Sequence, residues 1–98
     1  MLEQAFSAAN TDRLYMSPVK PLVSYLLLLV EVGKEHAVAS ELRRLPGVTE
    51  AQVVYGEFDV VARLELGDVS LMDETVTMAR KLPGVRRTST LISSGIQE

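Results

Sequence analysis

The sequence predicts an α+β fold made of two βαβ units, joined head to tail, that share one antiparallel sheet. Three observations carry this. The run Leu45-Pro46-Gly47-Val48 recurs as Leu82-Pro83-Gly84-Val85, each time preceded by a basic pair, Arg43-Arg44 and then Arg80-Lys81, that ends a helical pattern. Midway, Val53-Val54-Tyr55-Gly56-Glu57-Phe58-Asp59-Val60-Val61 sets two β-branched runs on either side of a short glycine-containing break, the pattern of a hairpin with a slightly long loop. Finally, residues 23–32 alternate two sets that are both apolar, as expected of a strand covered on both faces.

The elements follow in order. Residues 1–21 show little periodicity and read as an N-terminal tail, with a short helix near Leu2 to Ala9 and a second candidate start at Met16. The first strand runs from Val23 to Val32, with Val23, Tyr25, Leu27 and Leu29 on one face and Leu26, Leu28, Val30 and Val32 on the other. Gly33 caps a helix from about Lys34 to Leu45 whose inward side is Val38, Leu42 and Leu45, with Glu35 early and Arg43 and Arg44 late, as the helix dipole favours. Strands from Thr49 to Tyr55 and from Asp59 to Leu66 flank the hairpin loop. Asp68 or Ser70 caps a second helix, Ser70 to Leu82, striped by Met72, Val76, Ala79 and Leu82. A last strand spans Arg86 to Ser94, and residues 95–98 form a C-terminal tail. Right-handed crossovers make each unit leave a gap that the other fills, giving sheet order 4-1-3-2 with both helices on one face. This is the ferredoxin-like βαββαβ sandwich, of the dimeric α/β barrel type, occupying residues 22–94.

Size and composition narrow the function classes. A chain of 98 residues buries only roughly 60 to 65 per cent of its unfolded surface, yet nearly half its residues are apolar, so self-association through the open sheet face is expected. A net charge of −3 with interspersed signs argues against a general nucleic-acid or anionic-membrane surface. With no cysteine, disulfides and thiolate metal sites are excluded, which is compatible with a cytoplasmic location. His36 is the single histidine and has no second ligand at an obvious spacing, so neither metal nor cofactor is expected. The apolar run Leu22 to Val32 is about half of the roughly 20 residues a bilayer span needs and is interrupted by Glu31.

In register across about 70 residues, from Val23 to Ile92, four features resemble the effector-binding domain of the Lrp/AsnC transcription regulators, a module also found stand-alone as a regulation of amino-acid metabolism domain. They are the apolar strand ending in Glu31-Val32-Gly33-Lys34, the stop Leu45-Pro46-Gly47-Val48, the hairpin Val54-Tyr55-Gly56-Glu57-Phe58-Asp59-Val60, and the second stop leading into Thr88-Ser89-Thr90. The resemblance implies a homodimer built through the sheets, a ring of dimers, and an amino-acid effector bound between dimers. The site residues it implies are Tyr55, Gly56, Glu57, Phe58, Asp59, Thr88 and Thr90. Regulators of that family carry an N-terminal helix-turn-helix, for which the 1–21 tail is too short, so direct DNA binding is not expected.

An α-amino acid presents a cation and an anion together, and a specific site must satisfy both, because an unpaired buried charge is costly. On this reading Asp59 takes the ammonium, while backbone N–H groups near Gly56 and the hydroxyls of Thr88 and Thr90 take the carboxylate, with Phe58 or Tyr55 shaping the pocket. The expectation is therefore a non-catalytic sensor acting on a protein partner, either a full-length Lrp/AsnC regulator or a metabolic enzyme. Two alternatives stand beside it: a cofactor-free dimeric α/β-barrel enzyme with Asp59 or Glu31 as base, and a purely structural assembly module.

Overall fold

The run Leu22–Val30 forms β1, which lies in the interior of the sheet because it is apolar on both alternating faces. The computed structural model describes residues 21–93; the tail before them, with its expected helix at 2–9, and the residues after 93 lie outside the described residues. After β1 come α1 (Glu35–Leu42), β2 (Val48–Val53), β3 (Val60–Leu66), α2 (Val69–Arg80) and β4 (Val85–Ile92). The strands pair antiparallel throughout in the order β2-β3-β1-β4, which is the expected 4-1-3-2 sheet read from its other edge.

One face of the sheet carries the core. Leu26 and Leu28 of β1 and Val60, Ala62 and Leu64 of β3 are fully buried beneath the helices, where they meet Val38, Ala39 and Leu42 of α1 and Met72, Val76 and Ala79 of α2. Each large aliphatic side chain buried there contributes about 1.5–3 kcal/mol of transfer free energy. Thr75, which the apolar stripe does not include, is also buried; its Oγ1 donates to the Pro46 carbonyl at 2.8 Å and so ties α2 to the turn that ends the first unit.

The opposite face is open. It presents Tyr25, Leu27 and Leu29 from β1 and Leu91 from β4, all at least partly exposed, beside the more polar Arg63 and Glu65 of β3. Arg63 is ion-paired to Glu65, and the hydrogen bonds it donates to Glu65 and then to Tyr25 raise its pKa, so it stays a cation at any working pH.

Several boundaries differ from the sequence expectation. β1 stops at Val30, and Val32 is 95% exposed in the turn that follows, where the Lys34 N–H donates to Glu31 O at 3.0 Å. Strand β2 begins a residue earlier and ends two residues earlier, so the hairpin loop is the longer segment 54–59. α1 ends at Leu42 rather than Leu45, because the residue before Pro46 is driven out of the helical region and the chain tightens through Arg44 N–H to Glu41 O and Leu45 N–H to Leu42 O. Arg43 therefore lies past the last turn, and its Nε and Nη2 both donate to the Ala51 carbonyl of β2, at 3.1 and 2.7 Å. α2 starts at Val69 with Asp68 as its cap, Oδ1 accepting from the Leu71 N–H at 2.9 Å.

The duplication extends to irregularities. The β2–β3 register shifts between Val48 and Glu50, leaving Thr49 without an opposite residue, and the β1–β4 register shifts so that Val85 and Arg87 are paired and Arg86 is not. Both bulges directly follow a Pro-Gly-Val turn. In the first turn Gly47 has φ +81° and a Cβ there would lie 2.3 Å from Leu66 Cδ2, so only glycine fits.

Ser24 is buried and its Oγ has no hydrogen-bond partner among the described residues. An unsatisfied buried hydroxyl is a net cost, so Ser24→Ala raises stability by roughly 1 kcal/mol. Chemical denaturation of the two proteins, compared at equal slope, reads this as a higher midpoint.

Candidate functional site

The hairpin loop 54–59 is held by Asp59. The Val54 N–H donates to Asp59 O at 2.9 Å, which closes the loop, and the Asp59 N–H donates to Leu28 O at 2.9 Å. The Asp59 side chain then supplies a third link, Oδ2 accepting from the Val30 N–H at 2.8 Å. The carboxylate acts where a carbonyl of a continuing strand would act, so the β1 edge stays satisfied although β3 begins only at Val60. At the tip Gly56 takes φ +141°, with open space where a Cβ would be; glycine is used there for its backbone conformation and not for room.

Between this loop and β4 lies a cleft of about 240 Å³ lined by Leu29, Glu57, Phe58, Arg87, Thr88 and Ser89. It opens on the helix-free side of the sheet, since Leu29 pairs with Arg87 and Leu27 with Ser89 in the phase opposite to the buried Leu26 and Leu28. Of the residues expected from the sequence, Glu57, Phe58 and Thr88 meet here. Thr88 also meets the helix, since Arg80 Nε donates to Thr88 Oγ1 at 3.1 Å from that side. Thr90 pairs with Leu26 on the helix-facing side and is outside the cleft. Tyr55 is 99% exposed, and Gly56 and Asp59 support the loop without lining the hollow.

Leu29, Arg87 and Ser89 are the lining residues that sequence reasoning missed. The alternation of Arg87 and Ser89 with Thr88 and Thr90 is visible in the sequence, but the side toward which the hairpin loop curls is set by the Asp59 links across to β1. The cleft thus holds one acid on the loop side, Glu57, and one base on the strand side, Arg87. Neither is ion-paired among the described residues. Among those residues no group of three His, Cys, Asp or Glu side chains is placed to hold a metal ion, and no helix is long and apolar enough to cross a membrane.

Replacing Asp59 by Ala strands the Val30 N–H and loosens the loop, at a cost of about 1–3 kcal/mol. Native-state hydrogen exchange checks this directly: the Val30 amide loses protection in Asp59→Ala, while amides of α2 keep theirs apart from the global decrease.

With the geometry in hand, the relatives can be placed. Residues 25–95 match the family described as the Lrp/AsnC ligand binding domain. The chain is 27% identical over 71 residues to the HTH-type transcriptional regulator FL11 of Pyrococcus horikoshii, a match that covers 72% of this chain and 47% of the regulator; the chain spans about half the length of the curated relatives it matches. Among solved structures it is similar to FFRP-DM1, with 36% identity and a TM-score of 0.69 over 74% of this chain and 97% of that one. It is likewise similar to the Pyrococcus horikoshii protein PHS023, with 36% identity and a TM-score of 0.70 over 79% and 92% of the two chains. The ferredoxin-like domain described above, with its cleft between hairpin and last strand, belongs to the Lrp/AsnC family through that family's ligand-binding domain.

Proposed function

We propose that this domain is a non-catalytic effector sensor that binds an amino acid, or a related small zwitterion, in the cleft between the 54–59 loop and β4. The observation that carries the reading is that Glu57 and Arg87, charges of opposite sign with no ion pair among the described residues, line one small cleft. A zwitterion brings an ammonium and a carboxylate a few ångströms apart; Glu57 takes the first and Arg87 the second, the guanidinium offering a fork that matches a carboxylate. Leu29 and Phe58 supply apolar surface for the effector's side chain. Asp59 and Gly56 serve this site by fixing the loop, which also carries the exposed Tyr55. The ammonium role that the sequence suggests for Asp59 passes to Glu57, since the Asp59 carboxylate already holds the Val30 amide.

Assembly belongs to the same proposal. The partly apolar open face, with Tyr25 and Leu91 40% and 54% exposed, suits a homodimer formed sheet to sheet. A ring of such dimers brings a second subunit to the cleft, and an effector touching both then favours the assembled form. The output is regulation of transcription or of a metabolic enzyme in the cytoplasm, through a full-length Lrp/AsnC regulator or that enzyme, without DNA contact by this domain itself.

Thermal unfolding against a panel of free amino acids tests the proposal. An effector at about 100 times its dissociation constant stabilises by roughly 2.7 kcal/mol, a midpoint shift of several degrees in a domain this small. The expected result is a shift for one or a few amino acids that is lost in Glu57→Ala and in Arg87→Ala. A flat panel with an intact oligomer by light scattering contradicts it and identifies an assembly module instead.

A further inference from the structure

The internal duplication provides an internal control for a second site. Each unit has a hollow between the end of its helix and the edge strand that follows. The first, about 560 Å³, is lined by His36, Arg43 and the strand residues of β2; the second, about 280 Å³, is lined by Arg80, Val85, Arg86, Arg87 and Thr88. Every residue of the second has its counterpart in the first, 37 positions earlier. Arg43 and Arg80 occupy the same place before the Pro-Gly turn, and each bonds the residue eight positions on, Ala51 and Thr88. In the first hollow Arg43 is engaged by the fold through two bonds to the Ala51 carbonyl, and the lining also includes an acid, Glu50. In the second, the positions of Thr49 and Glu50 are held by Arg86 and Arg87.

We propose that this second hollow is a binding site for a small polyvalent oxyanion of the phosphate type, held by Arg80, Arg86 and Arg87. Three arginines line it, and among the described residues none of them has an ion pair. Like charges gathered without a counter-charge repel, and an oxyanion with several acceptor atoms relieves that repulsion while meeting the guanidinium forks. The α2 dipole accounts for Arg80, in the helix's last turn, but not for Arg86 and Arg87, which belong to the strand. The bulge contributes as well: it leaves Arg86 without an opposite residue, directly beside Arg87. Thr88 Oγ1 accepts from Arg80 and keeps its own proton to donate. The site is independent of the effector cleft except that Arg87 borders both.

The test is a titration of the full chain with inorganic phosphate and with pyrophosphate, followed by backbone amide shifts at fixed ionic strength set with chloride. The expected result is saturable shifts at residues 85–88, stronger for pyrophosphate, with affinity falling as chloride rises. Arg86→Ala weakens binding roughly tenfold, and Arg44→Ala, an equal charge change away from the hollow, leaves it unaltered. Arg86 makes no hydrogen bond within the described fold, so its removal leaves the fold intact, and Arg80→Gln provides a second variant with the same expected loss. Linear, unsaturable shifts overturn the proposal, as does equal weakening by Arg44→Ala. Binding of a short DNA duplex without phosphate or pyrophosphate binding also overturns it, since the arginines would then serve a nucleic-acid backbone.

Discussion

The bond from the Val30 amide to the Asp59 carboxylate is the constraint on which the functional end of this molecule depends. β1 is the central strand and must satisfy its backbone on both sides. On the β4 side its register shifts between Leu29 and Val30; on the β3 side its partner strand begins only at Val60. A buried strand cannot leave an amide unmade without cost, and one aspartate supplies both the missing acceptor and, through its own N–H, a bond to Leu28. The consequence is geometric. The 54–59 loop is fixed against the end of β1, next to the β4 segment that carries Arg87.

How much of this is legible in the sequence follows from which forces act locally. The two-unit architecture is legible because hydrophobic periodicity and the paired Leu-Pro-Gly-Val stops are local signals, and right-handed connection leaves one arrangement of the strands. The buried face of β3, Val60, Ala62 and Leu64, is likewise set by simple alternation. The site is only half legible. Glu57 and Phe58 sit on a recognisable loop, whereas Arg87 and Ser89 join them only because β4 lies beside β1, a long-range pairing with no local trace. Asp59 shows the limit well: no local signal in the sequence reveals that one oxygen of its carboxylate accepts from the Val30 amide.

The bulges illustrate divergence after duplication. Both units keep an extra residue after the Pro-Gly-Val turn, which increases twist and turns side chains toward the strand's outer edge. In the first unit that position is Thr49, which bonds the Arg63 carbonyl and is itself met by the Arg63 guanidinium. In the second it is Arg86, whose side chain makes no hydrogen bond among the described residues. The same backbone device thus closes one edge of the sheet and leaves the other charged, next to the effector cleft.

Sensing by this domain then reduces to charge placement on a rigid frame. The frame is the helix-covered sheet; on the proposed reading the sensing groups are Glu57 and Arg87, both exposed and both lining the cleft beside the loop that the Asp59 links hold. The most direct test is to locate a bound amino acid by amide shifts and ligand-to-protein nuclear Overhauser contacts in the labelled protein. The account predicts contacts at Leu29, at Glu57 and Phe58, and from Arg87 to Ser89, with the ligand's carboxylate toward Arg87. Contacts confined to His36 and the Val48–Val53 strand would contradict it.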